Sequence, residues 1–500
     1  MMISTLDGLL RESARRWPGR AALVDETGRT LSYRELNARA QAFSLHAALE
    51  TLTGGKHAAI LSRNSFESVT LYFALMSRGA VVVWLNHTLD AKELADIAQD
   101  ARISSLFYES ELKAKADRIV SEFPADALAL ESLASGGRTT GQPKAISRKD
   151  DLATIVYTSG STDKPLGVML THRNLISNNE AIADYLGLAE SDRVACVLPI
   201  YYIYGLSLLL SHLAVGASVI LENRFSYPQA TLEGIETLGA TGFSGVSSHF
   251  ILLMNHTDFL SRKLPALRYL THAGDKMPVA VTEKLLKAFP EKKLFLMYGQ
   301  TEAAPRISYL DPSLATKKPA SSGKVLKNME LRILSGEGKL CAVHEEGEIA
   351  VRGENVMKGY WNNPEETRKV LREGWLFTGD IGYLDEDGDL FVTGRNKQFI
   401  KVGGRRVSPA EVESIALEYP GIREAAVMGV PDETLGEKLR LYVSESGPVP
   451  VSPAAVVEFY KKKAPFYKIP SEVIRVAALP RTSQGKIDRK RLALAKVLDG

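Results

Sequence analysis

The stretch from Tyr157 to His172 reads YTSGSTDKPLGVMLTH. Its loop of Thr158, Ser159, Gly160, Ser161 and Thr162 sets small hydroxyls and a glycine between two apolar runs. Backbone N–H groups and hydroxyls in such a loop can donate to phosphate oxygens, and glycine admits close approach without a Cβ clash. No Gly-x-x-x-x-Gly-Lys-[Ser/Thr] is present, so this is not a Walker A motif. Taken alone, a loop of this composition is more often a flexible turn. Leu166 stands where a lysine would be the natural charge partner of a phosphate.

Four further segments could do chemistry. Tyr298–Gly299–Gln300–Thr301–Glu302 directly follows an apolar strand, and ligands gather at strand ends of parallel sheets. Tyr298 could stack on a base, Thr301 could donate to a phosphate and Glu302 could hold Mg²⁺ as a hard oxygen ligand. The bland alternative is a strand–loop with a surface carboxylate. Asp380 ends the run Trp375 to Asp380 and could accept from both hydroxyls of a ribose, or it is a β-turn aspartate. The following Asp385–Glu386–Asp387–Gly388–Asp389 reads as a hairpin turn rather than a metal loop. The basic segment Gly394 to Arg406 contains Arg395, Lys397, Lys401, Gly403 and Gly404. It reads as a solvated linker, a nucleic-acid patch or a hinge. Last, Lys486 follows Gly485 in a loop near the C-terminus that otherwise reads as a basic tail.

The elements that must carry these residues alternate. Ala58 to Leu61, Val81 to Leu85 and Ser104 to Tyr108 read as strands, with helices over Phe66 to Met76 and Ala91 to Ala101 between them. That pattern builds βαβ units around a mostly parallel sheet. It resumes over residues 152–298, with strands near Val194, Ser218, Gly242, Tyr269 and Leu294. After Lys324 the texture becomes strand–turn–strand, a small β region. Another α/β pattern fills the last stretch, with strands near Ala425 and Leu439 and a helix over Ala454 to Ala464. The expected fold is therefore α/β, with a large N-terminal domain over 1–394 and a small C-terminal α/β domain over 395–500. The Gly394 to Pro409 segment is the natural boundary.

At 500 residues the chain exceeds one compact core. A net charge of +3 argues against a dedicated nucleic-acid binder. Cys196 and Cys341 stand far apart with no clustered histidine, which disfavours a zinc site or disulfide framework and fits a reduced, cytoplasmic setting. The N-terminal MMISTLDGLLRESARRWP reads as an amphipathic helix rather than a signal peptide. Leu206 to Leu221 is broken by Ser211, His212 and Gly216 and reads as a buried helix–strand pair, not a membrane span.

Taken in order, the five segments resemble the superfamily of adenylate-forming enzymes, which includes AMP-forming acyl- and aryl-CoA synthetases. The resemblance spans nearly the whole chain. It implies ATP-dependent activation of a carboxylic acid to an acyl-adenylate with loss of pyrophosphate, then transfer to a thiol with release of AMP. The thiol would be that of CoA or, alternatively, a carrier-protein phosphopantetheine arm loaded with an acyl or aminoacyl group. Luciferase-like oxygenation uses the same framework and ranks below both.

The resemblance further implies roles. Thr158, Ser159, Gly160, Ser161 and Thr162 would hold the β- and γ-phosphates, Thr301 the α-phosphate and Glu302 the Mg²⁺. Tyr298 would pack on the adenine, with Gly274 and Asp275 on its other side. Asp380 would take the ribose hydroxyls, with Arg395 nearby. Lys486 would bridge the carboxylate and α-phosphate. A mobile C-terminal domain would turn about Lys397, withdrawing Lys486 and bringing Lys401 to Arg406 over the site, with Gly403 and Gly404 beside the pantetheine channel. Tyr202 would gate an acyl pocket lined by Gly245 and His249. No Asp occurs from Pro199 to Gly216 to neutralise an ammonium, so an acid without an α-amino group is expected. Lys461, Lys462 and Lys463 could meet the CoA 3′-phosphate, though a solvated helix face is the simpler reading. Members usually have Gly at Asp163 and Lys at Leu166, so this phosphate loop gains a negative charge and loses a positive one.

Overall fold

A computed structural model describes residues 3–134, 147–158, 165–395, 400–432, 434–447, 450–481 and 487–498. Two sheets of mostly parallel strands form the large domain. The first has nine strands in the order Lys324–Val325, Arg306–Tyr309, Lys293–Gly299, Tyr269–His272, Gly242–Gly245, Arg193–Cys196, Ser218–Leu221, Ala21–Asp25 and Thr30–Ser32. It is parallel from Lys293–Gly299 through to Ala21–Asp25 and antiparallel at both flanks. The second runs Gly359–Tyr360, Leu166–Thr171, Leu152–Thr158, Val81–Leu85, His57–Leu61, Ser105–Tyr108 and Asp126–Ala129. Val81–Leu85 and His57–Leu61 are buried at every position, as expected of strands covered by helices on both faces.

Helices and strands begin where the local chemistry allows. Thr171 caps His172–Leu186 in a reciprocal capping box with Asn174. The Asn174 amide also donates to the Glu354 and Val356 carbonyls at 2.7 and 2.8 Å, tying the phosphate hairpin to the β region. The expected helix–strand pair after Leu206 is Ile203–Ala214 followed by Ser218–Leu221. The amphipathic N-terminal helix is Leu6–Arg16, which buries Leu6, Leu9 and Leu10. Among the described residues no helix is long and apolar enough to cross a membrane.

The β region is an antiparallel sheet of Met329–Leu334, Gly347–Gly353, Trp375–Leu384, Leu371–Arg372 and Leu390–Arg395. One expectation needs correction here. Asp380 does not end its strand; pairing continues to Leu384, past a bulge between Ile381 and Gly382. A bulge re-aims a side chain without ending the strand. The C-terminal segment packs around its own core, including Ile400, Val407, Val412, Leu441 and Tyr460. Its sheet orders Arg405–Val407, Ile400–Val402, Gly436–Glu445 and Ile422–Asp432, with Glu472–Arg475 pairing Gly436–Glu445. The basic segment is thus partly a β-hairpin rather than a plain linker.

Candidate active site

The phosphate loop joins two antiparallel strands, with Thr158 opposite Leu166 in register. The Thr158 hydroxyl lies 3.5 Å from the Leu166 carbonyl. Ser159, Gly160, Ser161, Thr162 and Asp163 lie outside the described residues. Leu166 is half-buried against the main core, so its side chain has a packing role beside its place next to the loop.

Tyr298, Asp380 and Arg395 come together. The Tyr298 hydroxyl donates to Asp380 Oδ2 at 2.7 Å, and Arg395 Nε stands 3.5 Å from Asp380 Oδ1. Asp380 and Arg395 are also register partners on neighbouring strands. Burial, and then the Asp380 carboxylate, hold the Tyr298 phenol far above its ordinary range, so it stays a hydrogen-bond donor. The Asp380 amide donates to Thr378 Oγ1 at 3.1 Å, and Thr378 in turn donates to the Ile349 carbonyl. The carboxylate therefore projects from a braced backbone at the end of the Lys293–Gly299 strand.

Beyond that strand the chain turns sharply. A Cβ on Gly299 would lie 1.9 Å from the Pro305 carbonyl oxygen, so only glycine fits. Thr301–Ala303 then forms one turn of 3₁₀ helix. The Glu302 carboxylate accepts from the Tyr360 hydroxyl at 2.8 Å. Its backbone carbonyl accepts from Met357 N at 2.9 Å. Gly359–Tyr360 is itself the edge strand beside the phosphate hairpin, with Tyr360 opposite Val168. Tyr360, which the sequence did not mark, thus links the hairpin to Glu302. No cation reaches Glu302 within ion-pair distance among the described residues, and Thr301 Oγ1 makes no hydrogen bond among them. A carboxylate held by one neutral donor, with its other oxygen unengaged among the described residues, suits a hard divalent cation.

The residues expected to line an acyl pocket sit among aromatic and polar groups. Tyr202 precedes the helix Ile203–Ala214, meets the Tyr201 ring edge-on at 4.5 Å and accepts from Asn86 Nδ2 at 3.2 Å. Gly245 abuts His249: a Cβ there would stand 2.9 Å from the His249 Cβ. The His249 ring packs 4.4 Å from Phe225 and its Nδ1 accepts from Val246 N at 3.3 Å. Burial pushes its imidazole down to about 4; Asp275 opposes the shift and Arg481 adds to it. A neutral imidazole already used as an acceptor is a packing group rather than a base. Arg481, in the C-terminal segment, thus lies within electrostatic reach of His249. Asp275 is engaged by Ser247 N at 3.1 Å, Ser247 Oγ at 3.0 Å and His272 Nε2 at 2.9 Å. Gly274 beside it has a φ of +100°.

The C-terminal residues form a separate group. Gly403 and Gly404, with φ of +56° and +77°, make the two-residue turn between Ile400–Val402 and Arg405–Val407. Positive φ at both positions is the type I′ geometry that favours glycine. Lys401 N donates to Glu437 and Gly403 N to the Leu435 carbonyl, both inside the C-terminal segment. Lys397 and Lys486 lie outside the described residues. Lys461 and Lys463 pair with Glu458 and Glu418 on the exposed helix face, in keeping with the solvated reading. In the acidic turn, Lys318 Nζ reaches Asp385, Asp387 and Asp389 at 2.6, 2.8 and 2.5 Å. An internal ammonium thus offsets part of the cluster's negative charge and occupies one oxygen of each carboxylate, which favours the hairpin-turn reading over a metal loop.

The AMP-binding enzyme profile matches residues 10–361 and the AMP-binding enzyme C-terminal domain matches residues 411–486. The chain belongs to the AMP-binding enzyme family. It is 33% identical to a 2-succinylbenzoate–CoA ligase of Bacillus subtilis, over 99% of both chains. It is 31% identical to a long-chain-fatty-acid–CoA ligase of the same organism, over 98% of this chain and 94% of that one. An o-succinylbenzoate CoA synthetase structure from Bacillus subtilis, in complex with its acyl-adenylate intermediate, superposes with a TM-score of 0.87 at 31% identity over 97% of each chain. The same enzyme has been solved with ATP and a magnesium ion, again at a TM-score of 0.87 and 31% identity, covering 97% of this chain and 99% of that one. The adenylate-forming resemblance therefore holds, and the chain is an AMP-forming acid–thiol ligase.

Proposed function

We propose that this protein is a cytoplasmic AMP-forming CoA ligase for a carboxylic acid lacking an α-amino group. The observation that carries the reading is the Tyr298–Asp380 hydrogen bond, which holds an acceptor carboxylate at the end of a parallel strand. Ligands bind at that edge of such sheets. Asp380 takes the ribose hydroxyls of ATP, Arg395 stands beside the phosphates and Thr301 donates to the α-phosphate. Thr158 and residues 159–162 cradle the β- and γ-phosphates. Glu302 holds Mg²⁺, which when bound neutralises phosphate charge.

In the first step an acid carboxylate oxygen attacks the α-phosphorus and pyrophosphate leaves. Lys486 screens the two anions from each other. In the second step the CoA sulfur attacks the acyl carbonyl and AMP leaves. No protein nucleophile is needed; rate comes from positioning and charge compensation. Arg481's influence on His249 supports a C-terminal segment whose described residues reach toward the acid side. We assign the boundary to 394/395 and the pivot to Lys397, with Lys401, Gly403 and Gly404 serving the thiol step. CoA is favoured over a carrier protein because the full-length relatives are named CoA ligases. Two free cysteines suit a reducing compartment. A panel of carboxylic acids assayed with ATP and CoA, and separately with carrier proteins, tests the reading. Thioester formed only on carrier proteins would replace it.

A further inference from the structure

Arg306 is a buried charge that the ligase roles above leave unused. It is 2% exposed, in the strand Arg306–Tyr309 and four residues beyond Glu302. Its Nε donates to the Tyr185 hydroxyl at 3.1 Å, and its guanidinium carbon sits 5.0 Å over the Tyr204 ring. Among the described residues no carboxylate lies within ion-pair distance, and neither terminal nitrogen has a hydrogen-bond partner. Neither terminal nitrogen is among the fully enclosed side-chain atoms that lack a partner, so the fork keeps a narrow opening through which an anion could be met.

Structural explanations leave the two terminal nitrogens idle. Stacking on Tyr204 uses the face of the guanidinium and spares its in-plane donors. The nearby C-terminus of helix His172–Leu186 is already served by Arg268, which donates to the Leu186 and Gly187 carbonyls at 3.1 and 3.3 Å. The position, by contrast, is informative. Arg306 pairs in register with Gly299, beside Tyr298, and its partner Tyr204 lies two residues beyond Tyr202. The Arg306 backbone therefore adjoins the Tyr298–Glu302 segment, while its guanidinium lies against Tyr204, in the segment expected to line the acyl pocket. A chain of hydroxyls adjoins it: Tyr204 Oη meets Thr271 Oγ1 at 2.9 Å, and Thr271 donates to Ser244 Oγ at 2.7 Å.

We propose that Arg306 determines acid specificity and that the substrate is a dicarboxylic acid, whose second carboxylate the Arg306 fork receives. Arg presents paired donors that match a carboxylate bidentately. The same charge repels an ammonium, in accord with an acid lacking an α-amino group. The proposal rests on the ligase reading.

The test uses matched acids: dicarboxylic acids of graded length, each beside its monomethyl ester, with sulfonate analogues as a further arm. Acid-dependent pyrophosphate exchange and CoA-thioester formation are read for each. For at least one pair kcat/KM should favour the diacid by about 100-fold or more, the scale of rejection when a buried polar site is left unpaired. Arg306→Gln should raise KM for the diacid and shrink the pair difference to within about threefold; Arg306→Lys should keep part of it. Neutral esters turned over as well as diacids in every pair would overturn the proposal, whether or not the Gln variant folds. A sulfonate analogue preferred over every diacid would overturn the dicarboxylate assignment. Exchange with simple monocarboxylates alone would overturn it while leaving the ligase reading intact; no exchange with any acid would overturn both.

Discussion

Tyr298 and Asp380, 82 residues apart, meet through a 2.7 Å hydrogen bond that joins the nine-stranded sheet to the β region. The phenol stays protonated because burial and the carboxylate both oppose its ionisation. Removing the donor should release the carboxylate that we assign to the ribose. A hydrogen bond to a charged group contributes about 1.5–3 kcal/mol, so Tyr298→Phe should lower kcat/KM for ATP by roughly 10- to 100-fold. Asp380→Asn should lower it further. Steady-state pyrophosphate exchange at varied ATP checks both, and an unchanged KM in Tyr298→Phe would remove the positioning role.

Tyr360 holds Glu302 in the same manner. Tyr360→Phe should raise the Mg²⁺ concentration needed for half-maximal activity by about tenfold, with a smaller change in kcat at saturating Mg²⁺. A Mg²⁺ titration of wild type and variant decides this. Identical curves would mean that Glu302 does not rely on Tyr360.

Lys486→Ala should abolish adenylation, yet largely spare thioester formation from supplied acyl-AMP. Equal loss in both half-reactions would count against alternation of the C-terminal domain. Leu166→Lys should improve ATP use by restoring charge beside the phosphate loop; the cost of removing Leu166 from the core should appear as a lower melting temperature. Unchanged kcat and KM for ATP would show that the missing lysine plays no part.

Buried histidines make the fold sensitive to acid, His249 among them. Burial pushes His172 and His212 down to about 4, against about 6.5 in an unfolded chain. Between those values the unfolded chain binds protons that the folded chain refuses, so stability is full above pH 6.5 and falls as pH drops toward 4. At about 1.4 kcal/mol per pKa unit, the pair amounts to several kcal/mol by the acid end. Melting temperature should therefore decline from pH 7 to pH 5. His212→Gln, which loses a 2.7 Å contact with Tyr269, should melt lower at pH 7 but with a shallower pH dependence. A flat profile in wild type would contradict the assignment.

The sequence was most legible where burial imposes a pattern. Val81–Leu85 is apolar throughout because helices cover both its faces. The helix Phe66–Ser77 announces itself through its apolar spacing, and its Ser65 cap was seen only in the structure. Asp380 was marked from the sequence as a candidate for the ribose hydroxyls, but its place inside a longer strand depends on a bulge that carries no local signal. Tyr360 escaped notice because a two-residue strand has no periodicity. Arg306 escaped notice because a basic residue opening a short strand reads as solvent-facing; only the packing of Tyr185 and Tyr204 around it reveals the burial. Asp275 was marked for the adenine, while its hydrogen bonds to Ser247 and His272 tie it to the start of helix Ser247–His256 and the end of strand Tyr269–His272.

The central claim is that this chain joins a carboxylic acid to AMP and then to CoA. The most direct measurement is acid-dependent exchange of labelled pyrophosphate into ATP across a broad carboxylate panel, followed by addition of CoA. Exchange that requires an acid and Mg²⁺, and that yields an acyl-CoA and AMP once CoA is added, is the predicted result. No exchange with any acid, or an acyl-adenylate that CoA does not consume, would contradict it.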